Sequence, residues 1–248
     1  DDSISLASGA SLTASAGSIT LNATTGGISA AGAVTLNATT GITINDSFTS
    51  AGTTTFDSDT DNDGSGTLTL ASALSAGNNA ISLTAGGLAL NSTLSSGTAS
   101  TTILASLSGA TIGLGASSCG GTCGVSLTST ELGNITAGSL TIGNTSNGAI
   151  TVEGVSSTDS DQFGSLTLNA TASGSSVTFE NSDSTFQGLT VNAENGITLS
   201  SNLTTNGTTS FDSDSDSDGT GDFTLAASKT LSTTNNALSL TSNDIAFG

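Results

Sequence analysis

The feature that most constrains this chain is internal repetition of a short alternating unit, [IVL]-[TS]-[LIVF], bracketed by Gly, Asn or Ser. It occurs as "SITLNA", "AVTLNA", "GTLTL", "AISLT", "SLTIG", "SLTLNA", "SVTFEN" and "GITLS". Apolar residues at i and i+2 around an outward hydroxyl have a period of two, which is strand. Helical spacing at three and four is absent. Asn and Gly, which tolerate positive φ, punctuate the runs every few residues and predict tight corners. The chain has no Pro, Trp or Tyr and only eight Phe. An antiparallel sandwich or barrel would normally bring aromatic core residues and Pro-bearing turns. The pattern instead predicts an all-β fold, a parallel β-helix or β-solenoid. Its core is thin layers of Leu, Ile, Val and Ala, with Ile19 and Leu21 inward and Thr20 outward. A coil of roughly 20 residues gives about 12 coils and a rod of roughly 60 Å at the sheet spacing.

A longer repeat lies over the short one. "VTLNATTGITI" (Val34 to Ile44) is answered by "LTVNAENGITL" (Leu189 to Leu199), 155 positions on, and "NNAISLT" (Asn78 to Thr84) by "NNALSLT" (Asn235 to Thr241), 157 on. We read residues 1–248 as one continuous solenoid with a duplicated unit at about 11–90 and 165–247, and 91–164 as intervening coils. The two extra residues fall at a loop around Lys229.

The formal net charge is −19, from 20 acidic residues against a single Lys. Nucleic acid and anionic membrane surfaces are therefore poor partners, because both need clustered Lys and Arg. No apolar run reaches the roughly 18 residues of a membrane span, so membrane insertion is not expected. Catalysis is not expected either: with no His and one basic residue, and with Glu131, Glu153, Glu180 and Glu194 isolated in sequence, general acid–base chemistry lacks its agents. "CGGTC" predicts a local disulfide between Cys119 and Cys123 and an oxidising compartment, because two Cys without further ligands make a poor zinc site.

The acid is concentrated. "FDSDTDNDGSG" at Phe56 returns as "FDSDSDSDGTG" at Phe211. Asp57, Asp59, Asp61 and Asp63 precede Gly64, and Asp212, Asp214, Asp216 and Asp218 precede Gly219. Like charges this close repel by about 1 kcal/mol per pair in high dielectric, so a cation is expected to offset them. In both copies the last six residues read D-x-D-x-D-G, the first half of a calcium loop. Leu70 and Leu225 stand where such a loop carries its bidentate Glu, so ligands are expected from neighbouring coils, with Asp222, Asp159 and Asp161 as donors. A solvated acidic loop that keeps the chain soluble is the competing reading.

"ITAGSLTIGNTSNGAITVEGVSS" (Ile135 to Ser157), with the "SITLNATTGG" type of unit, resembles the repeat regions of large secreted bacterial proteins of the filamentous haemagglutinin type. The resemblance implies a right-handed parallel β-helix in an adhesin stalk or surface fibre, exported through a partner transporter. The expected role is thus an extracellular, cell-surface structural segment. It would be stabilised by Ca2+ and joined end to end to copies of itself or to adjoining repeats of the same polypeptide, because strand patterns run to both ends. The alternative is a module whose flat face binds a surface glycan.

Overall fold

The computed structural model describes residues 2–116, 119 and 123–248. It is a parallel β-solenoid. One face is a ten-stranded sheet, whose strands number the coils from 1 to 10: Ala10–Ala14, Val34–Ala38, Thr54–Asp57, Ile81–Ala85, Ser100–Ala105, Ser139–Ile142, Ser165–Ala170, Gly188–Ala193, Thr209–Asp212 and Leu238–Thr241. Ten rungs at the sheet spacing make a rod about 45 Å long. The stack is shorter than twelve coils because the coils are unequal. Ile81 pairs with Thr101, 20 residues on, but Thr101 pairs with Leu140, 39 residues on.

Alternation dictates what each face shows. Inward on the long face runs an unbroken ladder of Leu12, Leu36, Phe56, Leu83, Ile103, Ile142, Leu168, Val191, Phe211 and Leu240. Between those residues and their outer neighbours, the sequence alternation leaves an outward column in which every rung is Ser or Thr, from Ser11 through Thr102 to Ser239. At Ile19–Leu21 the two apolar residues are buried and Thr20 is exposed. β-branched Thr suits this half-exposed pleated position, where its methyl packs and its hydroxyl stays wet.

The other two faces are interrupted. One divides into six- and three-stranded sheets, with an isolated parallel bridge from Ala137 to Phe163 beyond the six-stranded one, and the other into four- and seven-stranded sheets. The second break has a local cause. Strand Val125–Leu127 follows Ile112–Gly115 in sequence but pairs on its earlier side, next to Gly87–Leu90, so the chain doubles back for one rung. The connection carries the disulfide Cys119–Cys123, with Cα atoms 5.2 Å apart. Helix Ser129–Gly133 follows, closed by a capping box of Thr128 and Glu131. Glu131 does more than cap: its Oε1 accepts from the Leu90 amide at 2.9 Å, and Asn134 Nδ2 donates to the Leu90 carbonyl at 3.1 Å. The end of the four-stranded sheet is thereby satisfied by side chains.

The long repeat is structural. Leu70 corresponds to Leu225 and Leu74 to Leu231, so the two extra residues fall in the connection that is Ala71–Ala73 in one copy and Ala226–Thr230 in the other. No helix among the described residues is long and apolar enough to cross a membrane.

Candidate metal centre in the acidic loops

Both acidic runs leave the end of a long-face strand and turn the same corner of the solenoid, on coils 3 and 9. Their backbones follow one template. Thr60 N–H donates to Ala38 O and Ser215 N–H to Ala193 O, each at 3.0 Å, tying each loop to the coil before it. Ser58 N–H donates to Thr84 O at 2.9 Å and Ser213 N–H to Thr241 O at 3.0 Å, tying each to the coil after it. Asn62 and Ser217 have φ of 55° and 58°, and Gly64 and Gly219 have 85° and 87°. The two left-handed residues curl the chain so that alternate side chains converge, where an extended strand would have kept them apart.

Gly66 and Gly221 close the loops. The Ser58 and Ser213 hydroxyls donate to their carbonyls at 3.0 and 3.1 Å. A Cβ on Gly66 would lie 1.9 Å from Ser58 O, and one on Gly221 1.7 Å from Ser213 O. Gly66→Ala is therefore expected to push the loop off its template and cost about 1–3 kcal/mol, measured by denaturant unfolding.

In the first loop, Asp59, Asp61 and Asp63 bring one carboxylate oxygen each within 4.8 Å of one another. Asp59 is fully buried. Its Oδ2 accepts from Gly64 N–H at 2.8 Å and from the Ser106 hydroxyl at 2.5 Å, while its Oδ1 has no hydrogen-bond partner. Asp57 stands outside this group and uses its Oδ1 to accept from Asp59 N–H at 3.1 Å.

In the second loop the group is Glu194, Asp216 and Asp218. Asp214 corresponds to Asp59 but is closed by backbone: Oδ1 accepts from Asp218 N–H and Oδ2 from Gly219 N–H, both at 3.2 Å. Asp212 accepts from Asp214 N–H. Asp222 immediately precedes strand Phe223–Leu225 and accepts from Asn243 Nδ2 at 3.1 Å, away from the cluster. Asp159 and Asp161 lie at another corner, where Asp159 caps helix Ser157–Ser160 and Asp161 accepts from Gln187. The carboxylate contributed by a neighbouring coil is that of Glu194, buried on coil 8, whose Oε2 accepts from Gly174 N–H at 2.6 Å. Coil arithmetic could have found it, because a 20-residue coil places residue 194 directly beneath residue 214. Ser106 carried no such signal, since it reaches Asp59 from two coils further on.

Clustering perturbs proton binding. Burial, followed by the charge of Asp63, pushes the Asp61 carboxyl above its ordinary value, whereas the Ser65 hydroxyl and amide hold Asp63 below it. Burial, opposed by the Asp59 amide, raises Asp57. Asp61 binds its proton more tightly in the folded chain than in the unfolded one. Its ionisation therefore weakens the fold as pH rises from the unfolded value through the raised folded one, and acidification below both relieves this. Asp63 stabilises above the ordinary carboxylate value and loses that contribution as pH falls through its depressed one. In metal-free buffer, a carboxyl-detected NMR titration is expected to show Asp61 taking up its proton at higher pH than Asp63. The reverse order would contradict the geometry.

Both clusters can hold a metal ion. Their donors are all hard oxygens, the set preferred by Ca2+, Mg2+ and Mn2+ over softer metals. No protein-family model, no curated protein and no solved structure matches the chain.

Proposed function

We propose that this chain is a structural segment of an extracellular fibre or adhesin stalk, a rigid spacer whose acidic loops bind calcium. The observation that carries this reading is the in-register apolar ladder of the solenoid. It runs through every rung and is still open at coil 10, where Leu238, Ile245 and Phe247 are 47%, 43% and 71% exposed. Such a rung offers unpaired strand edge and apolar surface to another rung of the same geometry. A second copy of the chain stacked end to end would supply such a rung. The disulfide and the hard-oxygen clusters suit an oxidising, calcium-rich exterior, and the resemblance of Ile135 to Ser157 to haemagglutinin-type repeats points the same way.

Calcium has a mechanical role here. It cancels repulsion between carboxylates that project from one corner and pins loops that each touch two neighbouring coils. Electron microscopy of the purified chain in millimolar calcium, and again after chelation, tests the reading. End-to-end filaments that form with calcium and fall apart without it are expected. Isolated rods of about 45 Å in both conditions would overturn assembly between copies.

The outward column of Ser and Thr on the long face favours a second reading, a flat, uncharged, hydroxyl-lined surface for a glycan. Retention on immobilised glycan that is lost when Thr102, Thr141 and Thr167 are changed to Lys would favour it over the fibre.

A further inference from the structure

The duplicated loops share a backbone but differ in how their buried aspartate is satisfied. Asp59 is fully buried with Oδ1 unpartnered. Asp214, at the matching position, has both oxygens engaged by amides of its own loop. A buried carboxylate oxygen without a donor is costly, and the cost is removed when a ligand supplies positive charge. The second loop contains no such unmet oxygen among its described residues, and its extra carboxylate, Glu194, is already held by Gly174.

We infer that the two loops are inequivalent divalent-cation sites, a tight one built on Asp59, Asp61 and Asp63 and a weaker one built on Glu194, Asp216 and Asp218. This rests on the calcium reading above and adds an order of filling to it. The first site also reaches two coils on. Ser106, which donates to Asp59, and Leu107, 3.2 Å from where a Cβ on Gly64 would stand, belong to the corner after coil 5. On coil 4 between them, Gly86 turns so closely under the loop that a Cβ there would lie 2.5 Å from the Gly64 carbonyl carbon. An ion at Asp59 thus locks coil 3 to coil 5 across coil 4. The second cluster joins carboxylates of coils 8 and 9.

The difference arises outside the acidic runs. Thr39 occupies the position that Glu194 holds in the other copy, 155 residues on, so the first loop lacks the borrowed carboxylate. Its third carboxylate comes from within, as Asp59. Divergence in the flanking coils therefore splits one ancestral loop into two sites without changing the D-x-D-x-D-G run.

Calorimetric titration of the intact chain with calcium, repeated on Asp59→Asn and Glu194→Gln, tests this. The wild type is expected to show two classes of site separated by about tenfold or more. Asp59→Asn should abolish the tighter class and spare the weaker, and Glu194→Gln should do the reverse. Hydrogen exchange on the wild type adds a readout independent of the variants. The amides of residues 106–110, on coil 5, should slow at the first equivalent of calcium, and those near residue 174 only later. Two sites of equal affinity, or an Asp59→Asn variant with both classes intact, would overturn the inference while leaving the calcium reading standing. Absence of calcium binding below about 10 mM, beyond the range of extracellular modules, would overturn both. If Asp59→Asn fails to fold, Ser106→Ala replaces it and should weaken only the tighter class, and no change in that class would count against the inference.

Discussion

Phe56→Ala is expected to destabilise the solenoid by about 3–5 kcal/mol, the usual cost of emptying a fully buried phenylalanine site. Phe56 is completely buried in the long-face ladder of coil 3 and meets Phe48 edge-on, with ring centroids 5.6 Å apart and planes at 82°. Such a pair contributes about 0.5–1.5 kcal/mol beyond its area. Its repeat counterpart Phe211 is equally buried but pairs with Phe223 on another face, at 5.5 Å. The duplication kept one Phe and found it a new partner. Because coils contact mainly their neighbours, each loss stays local. Hydrogen exchange should show Phe56→Ala accelerating coils 2–4 and Phe211→Ala accelerating coils 8–10. Uniform acceleration along the whole rod from either variant would contradict a quasi-one-dimensional stack.

Calcium is expected to stabilise the chain by about 2.7 kcal/mol per filled site at a hundredfold excess over Kd. That corresponds to a rise of roughly 5–10 °C in melting temperature for a chain of this size. The alternative is plain charge screening, which any salt supplies. Sodium chloride at matched ionic strength shortens the Debye length as effectively but cannot coordinate carboxylates. A calcium-specific rise, reversed by chelator and much reduced in a chain with Asp59→Asn and Glu194→Gln combined, is the expected result. An equal rise in sodium chloride would assign the acidic runs to solubility alone.

Much of this architecture was legible in the sequence because period two is a strong signal. The motif at Ile19 to Leu21 gives the inward and outward sides, and the 155-residue echo places both acidic loops at one corner. The coil count was less legible. A 20-residue coil is a minimum set by the tightest corners, and neither the backward rung around Cys119 nor helix Ser129–Gly133 has the alternating pattern that reveals a rung. In the loops, Asp59, Asp61, Asp63, Asp216 and Asp218 converge as their spacing suggests. Asp57 and Asp212 lie well before the left-handed residues at 62 and 217 and turn to backbone amides two residues on, and Asp214 is closed by the amides of Asp218 and Gly219. Asp222 is close to the run in sequence but stands just before strand Phe223–Leu225, where its carboxylate accepts from Asn243. Glu194 and Ser106 belong to other coils, and only the stacking register reveals them.

If a cation holds these like-charged loops against the rod, crystals grown in calcium should reveal it by anomalous scattering. One peak is expected within the Asp59, Asp61 and Asp63 oxygens and another, of lower occupancy at limiting calcium, within those of Glu194, Asp216 and Asp218. Two well-ordered loops with no peak at millimolar calcium would contradict it, leaving the acidic runs as solvated corners of the solenoid.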